Sequence, residues 1–310
     1  MMIRVLAVML LCGVAGAQDW AKAALEKSPR HGEYVTITEA SGRKLQAWVV
    51  YPEVKDKAPV VLMIHEIFGL SDWAREMADE VAGAGYIVVE PDLLSGFGPP
   101  PVVAGRSGPT KPVFLMQMCD GKPCVHTMDH ARMSTGGDGA GLVSAAPGGT
   151  AAFPDRDTVV KAVSSLDLNG VMADLDAAAD YGKKLPAASG KLFVAGFCWG
   201  GGQTFSYATR RKDLSAAFVF YGPPPPAGTM KNITAPVYGF YAGNDARITA
   251  TVPQTVLDMK AAGKVYGPVT YDGAGHGFMR AGEAPDADAA NSSARAEGFR
   301  RWVTLLGGVQ

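Results

Sequence analysis

Residues 191–209 read KLFVAGFCWGGGQTFSYAT, and few folds accommodate such a run. An apolar segment of strand length passes at Cys198 straight into glycines and then into helical spacing. Gly196 and Gly200 each stand two residues from Cys198. This is the pattern of a nucleophile elbow, a strained strand-to-helix turn whose neighbouring positions must be small to avoid collision with the turn. A helix N-terminus beneath Cys198 also favours a thiolate. The alternative reading is a buried structural cysteine among glycines that merely permit close packing.

The rest of the chain repeats the strand–helix alternation. GEYVTITEASGRKLQAWVVYPE reads as a hairpin around Ser41 and Gly42. APVVLMIHE and YIVVEPDLL read as strands buried on both faces. Between them lies a helical segment with Ser71 as N-cap and Gly83 and Gly85 as the stop. Strand, helix, strand implies a parallel pair joined by a right-handed crossover. DTVVKAVSSLDLNGVMADLDAAADYGKKLP predicts two helices broken near Leu168, Asn169 and Gly170. SAAFVFYG, APVYGFYAG and the start of VYGPVTYDGAGHGF supply further strands, and a last helix is expected over residues 286–306. Together these predict an α/β fold: about eight strands in a mainly parallel sheet, with helices on both faces.

A chain of 310 residues with 47% hydrophobic and 19% charged residues has material for a large core. A net charge of −1 argues against nucleic acid or an acidic membrane surface as the main partner. Arg4, the apolar run to Val14 and the small residues Ala15, Gly16 and Ala17 have the layout of a secretory signal cut after Ala17. The run is too short to span a membrane comfortably. The expectation is therefore an exported protein, periplasmic or secreted, with one domain over residues 18–310.

Four cysteines are present. Cys12 leaves with the signal, and Cys119 and Cys124 are a possible disulfide in an oxidising compartment. Cys198 is then the odd thiol. Residues 95–155 are rich in Gly, Pro and Ser with little periodicity, and are read as an insertion that forms a lid. Met116, Met118, His126, Met128, His130 and Met133 beside the two cysteines leave copper binding as an alternative role. No metal is assigned to the site residues.

Asp245 follows the strand in APVYGFYAG, and His276 follows the last strand, in GAGHGF. Nucleophile, acid, histidine is the chain order of α/β-hydrolases. His276 would shuttle the proton and Asp245 would orient it. Glu66, directly after the strand in APVVLMIHE, is a carboxylate at a buried strand end, which is costly unless paired.

HEIFGL, GFCWGG, GND and HGF, in this order and on these strand ends, resemble the dienelactone hydrolase family over residues 32–306. The resemblance implies an α/β-hydrolase with Cys198, His276 and Asp245 as triad. It implies that Glu66 pairs with the resting thiol until substrate displaces it. The amides of Ile67 and Trp199 would form the oxyanion hole. Arg280, four residues after His276, would bind a substrate carboxylate, with a second arginine among Arg106, Arg132 and Arg156. The implied reaction is cleavage of a lactone or activated carboxylic ester, of the carboxymethylenebutenolidase type. A small-molecule substrate is the expected partner, no cofactor is implied, and monomer and dimer both stay open. The rivals are a general carboxylesterase with a different acyl pocket and a non-enzymatic metal- or ligand-binding protein on the same fold.

Overall fold

The computed structural model describes residues 18–98 and 148–309, with the backbone of residues 117–119 and 122–124. Helix α1 (Asp19–Lys27) precedes the hairpin β1 (Gly32–Thr38) and β2 (Lys44–Val50). Strand β3 (Ala58–Ile64), helix α2 (Asp72–Gly83) and strand β4 (Ile87–Pro91) form the first crossover. A short antiparallel pair, β5 (Gln117–Cys119) and β6 (Lys122–Cys124), lies in the insertion. Then come α3 (Arg156–Ser164), α4 (Leu168–Lys184), β7 (Ala188–Phe197), α5 (Trp199–Ala208) and β8 (Ala216–Phe220). The chain continues through α6 (Ala227–Met230), β9 (Val237–Ala242), α7 (Ala246–Thr249), α8 (Val252–Ala261), β10 (Tyr266–Tyr271), α9 (Phe278–Ala281) and α10 (Ala289–Gly308).

The eight long strands form one sheet in the order β1-β2-β4-β3-β7-β8-β9-β10. The two pairings that involve β2 are antiparallel, and those from β4 through β10 are parallel. Parallel neighbours need crossovers, and the crossover helices bury both faces of the sheet. One face packs Val171 and Leu175 of α4 and Met259 of α8 against Val60, Leu62 and Val194. The other packs Trp73 and Met77 of α2 and Trp302 of α10 against Val61, Phe197 and Phe218. Trp302 is fully buried and meets the Phe197 and Phe220 rings edge-on, at 5.9 and 5.0 Å between centroids. Among the described residues, no helix is long and apolar enough to cross a membrane.

The expected caps form where the sequence places them. The Ser71 side chain accepts from the Ala74 amide at the start of α2. The break between α3 and α4 falls upstream of Leu168, because the Asp167 carboxylate caps the Gly170 amide at 2.8 Å and draws residues 168–170 into the first turn of α4. The register of the β5–β6 pair sets Gln117 opposite Cys124 and Cys119 opposite Lys122. Any bond between Cys119 and Cys124 lies outside the described side chains, as do the methionine and histidine cluster around them, Arg106, Arg132 and the segment 1–17. The two ends of the insertion meet at Asp92. Its carboxylate accepts from the Thr150 amide at 2.7 Å and the Thr150 hydroxyl at 2.9 Å, and that hydroxyl accepts from the Leu70 amide at 2.9 Å.

Candidate active site

Cys198 joins β7 directly to α5 with φ +56° and ψ −115°. Such a positive φ is uncommon for a side-chain-bearing residue and stores strain. The glycines around it are required by space. A Cβ at Gly196 would stand 2.4 Å from the Gly200 carbonyl oxygen, and one at Gly200 would stand 2.4 Å from the carbonyl oxygens of Ile64 and His65. The sequence therefore makes an elbow, held against the end of β3.

Cys198 Sγ lies 3.0 Å from His276 Nε2, and His276 Nδ1 lies 2.5 Å from Asp245 Oδ2. Asp245 sits at the carboxyl end of β9 and caps α7 through the Ile248 amide. His276 sits in the loop after β10, next to Gly277, whose φ is +79°. The two loops are tied together: the Asn244 amide donates to the Ala274 carbonyl and the Asn244 side chain to the Gly273 carbonyl, both at 2.9 Å. Asn291 of α10 accepts from the Gly275 amide at 2.9 Å. The acid–histidine pair thus rests on backbone contacts.

Burial, and next the nearby Glu66 charge, push the Cys198 thiol up to about 11. The backbone amides of Trp199 and Ile67 oppose this as donors near the sulfur, and Arg247 opposes it through its charge. Both expected oxyanion donors thus lie close enough to the sulfur to favour its ionised form.

Glu66, 2% exposed, does not bond the thiol here. Arg280 Nε donates to Glu66 Oε2 at 2.8 Å, and the Tyr221 hydroxyl donates to Oε1 at 3.2 Å. A guanidinium is a full charge partner, whereas a neutral thiol is a weak donor. This arrangement leaves the thiol to His276. Of the three candidate arginines, Arg156 is the described one, and like Arg280 it stands against the Phe68 ring. Their guanidinium carbons stand 3.8 and 5.1 Å from the centre of the Phe68 ring.

Tyr221 was not legible as a site residue. It is fully buried, has φ +40°, and its ring lies 5.1 Å from that of His276. The usable signal was an aromatic residue and a glycine ending a strand just before a run of prolines, in FYGPPPP.

A parallel sheet with this strand order, a strained elbow and an acid–histidine pair on the next strand ends define an α/β-hydrolase. The model of the dienelactone hydrolase family matches residues 45–309. The chain belongs to that family and is a hydrolase. A protein of Salmonella typhi named "Putative carboxymethylenebutenolidase" is 26% identical over 256 residues, which cover 79% of this chain and 77% of the relative. Carboxymethylenebutenolidase 1 of Cupriavidus pinatubonensis is 24% identical, with 83% of this chain and 89% of the relative covered. Among solved structures, one titled "Putative Dienelactone Hydrolase" from Klebsiella pneumoniae superposes with a TM-score of 0.64 at 23% identity, covering 89% of this chain and 97% of that one.

Proposed function

We propose that the protein hydrolyses a lactone or activated carboxylic ester by acyl transfer through Cys198. One observation carries the reading: the elbow sulfur lies 3.0 Å from His276 Nε2 while Asp245 holds Nδ1. Cys198 gives its proton to His276 Nε2, and the sulfur electron pair attacks the acyl carbon. The carbonyl π pair moves onto oxygen, where the amides of Ile67 and Trp199 receive it. Collapse of this adduct breaks the bond to the leaving oxygen, which departs with the proton from His276. Water then gives a proton to His276, attacks the thioester and releases the acid, and the proton returns to sulfur.

A thiol pushed up to about 11 is neutral at rest near neutral pH, so the transfer to His276 belongs to the attack itself. Burial first, and the Glu66 charge next, hold the thiol protonated, and binding of substrate beside Arg280 would alter that balance. Arg156 and Arg280 flanking Phe68 support an acyl group that carries its own carboxylate, as a dienelactone does. The binding-protein reading loses its ground, because Cys198, His276, Asp245 and Glu66 are all in place in a hydrolase family member.

The test is turnover of a dienelactone, followed by ultraviolet absorbance, beside a simple aryl ester. Cys198→Ala should abolish both, by a factor on the order of 10³ or more. A strong preference for the lactone, weakened by Arg156→Ala, supports the acidic acyl group. Turnover of the aryl ester alone supports the general carboxylesterase instead. We further propose export after cleavage at Ala17. Gln18 already accepts from the Trp73 amide at 3.0 Å, so cleavage there leaves this contact intact. A mass for the exported protein that begins elsewhere would refute it.

A further inference from the structure

His65 directly follows β3, before Glu66, and is fully buried. Its two ring nitrogens have different partners. Nε2 lies 3.4 Å from the Leu93 backbone nitrogen, which can only donate. Nδ1 lies 2.8 Å from the Glu66 carbonyl oxygen, which can only accept. The proton therefore sits on Nδ1, and burial favours this neutral ring over the imidazolium.

The Glu66 carbonyl belongs to the same peptide plane as the Ile67 N–H. No peptide bond among the described residues is cis, so the two groups point in opposite directions, and fixing one aims the other. The Ile67 amide lies close enough to the Cys198 sulfur to favour its ionised form. The same imidazole stacks on the Trp199 ring, at 5.9 Å between centroids and 15° between planes. Trp199 supplies the second amide. One buried ring thus touches the elements that carry both donors.

We propose that His65 is the positioning residue of the oxyanion hole: its Nδ1–H sets the Glu66–Ile67 peptide plane while its ring backs Trp199. This rests on the acyl-transfer reading above. The Gly69 amide also donates to the Glu66 carbonyl, at 3.1 Å, so removing the His65 bond misaligns the peptide without leaving its oxygen bare.

The test compares His65→Phe, which keeps a stacking ring and loses the donor, with His65→Asn, which keeps an N–H close to the Nδ1 position. Ester turnover is read beside alkylation of Cys198 by iodoacetamide, a reaction that needs the thiolate but forms no oxyanion. Removal of one oxyanion donor costs about 10²–10³ in rate, so misalignment of one should lower kcat about 10- to 100-fold in His65→Phe. KM should stay within about threefold, and the alkylation rate, which feels the Ile67 amide only through ionisation of the thiol, should fall much less than kcat. His65→Asn should recover most of kcat. Unchanged kcat in His65→Phe, an equal fall in alkylation, or no recovery in His65→Asn would overturn the proposal. Nitrogen NMR of the wild-type ring gives a reading independent of any variant: the Nδ1–H tautomer supports the assignment and the Nε2–H tautomer overturns it. Turnover that survives Cys198→Ala would instead overturn the acyl-transfer reading on which it stands.

Discussion

Two neighbouring strands each send a glutamate into the interior, and the two side chains meet different fates. Glu66, just past the end of β3, has Arg280 and Tyr221 on its two oxygens. Glu90, inside β4 and fully buried, has no hydrogen-bond partner for either oxygen among the described residues. Burial pushes Glu90 up to about 8, and the opposing pull of Arg75 is too weak to prevent it. Burial alone does not decide how an acid is accommodated. At the carboxyl edge of the sheet, loops and short helices from distant parts of the chain bring a guanidinium and a phenol to Glu66. In the middle of β4 no such group arrives, so the acid keeps its proton instead.

One direct break in this contrast is Arg280→Met, which strips Glu66 of its charge partner and leaves it the Tyr221 hydroxyl alone. Removing one partner of a buried pair costs about 3–5 kcal/mol, and because Arg280 is one quarter exposed the lower end is expected. Chemical denaturation should show the loss, and adding Glu66→Gln should restore much of it. Recovery of nothing would mean that Arg280 stabilises by packing on Phe68 alone.

Glu90→Gln tests the other side. The folded state holds the Glu90 proton up to about pH 8, while the unfolded chain releases it near 4.5. The unfolded state therefore binds fewer protons across that window, and stability falls as pH rises through it. Glu90→Gln should match the parent near pH 5 and exceed it by roughly 4 kcal/mol at pH 9, with turnover unchanged. Thermal melts at the two pH values give the answer, and equal stability at pH 9 would show that Glu90 has found a partner.

Smaller effects sharpen the role of Glu66. Its charge raises the Cys198 thiol, so Glu66→Gln should speed alkylation by iodoacetamide at pH 8, by about three- to tenfold. No acceleration would separate Glu66 from control of the thiol. Tyr221→Phe removes a single 3.2 Å hydrogen bond to Glu66 and should cost about 1 kcal/mol, read by denaturation.

Much of the site was legible because it is local. Cys198 announces itself through glycines that the turn requires at fixed offsets, and Asp245 and His276 follow strands whose apolar runs are plain. The short helices α6, α7 and α9, each of four residues, were not expected, since so few residues show no periodicity. The split between α3 and α4 was misplaced because the Asp167 cap outweighs the glycine that follows it.

The sequence by itself determined the eight strands of the main sheet, the long helices between them, their order and the elbow, since strand runs, helical spacing and required glycines act over a few residues. The tertiary structure alone decided the partners of those residues. Arg280 reaches Glu66 across 214 positions and Tyr221 reaches it across 155, so neither contact leaves a trace in local spacing. Arg156 emerged over Phe68, and His65 against the Glu66 carbonyl and Trp199, for the same reason. Where a buried charge or a backbone dipole points is set by whichever groups the sheet order brings beside it.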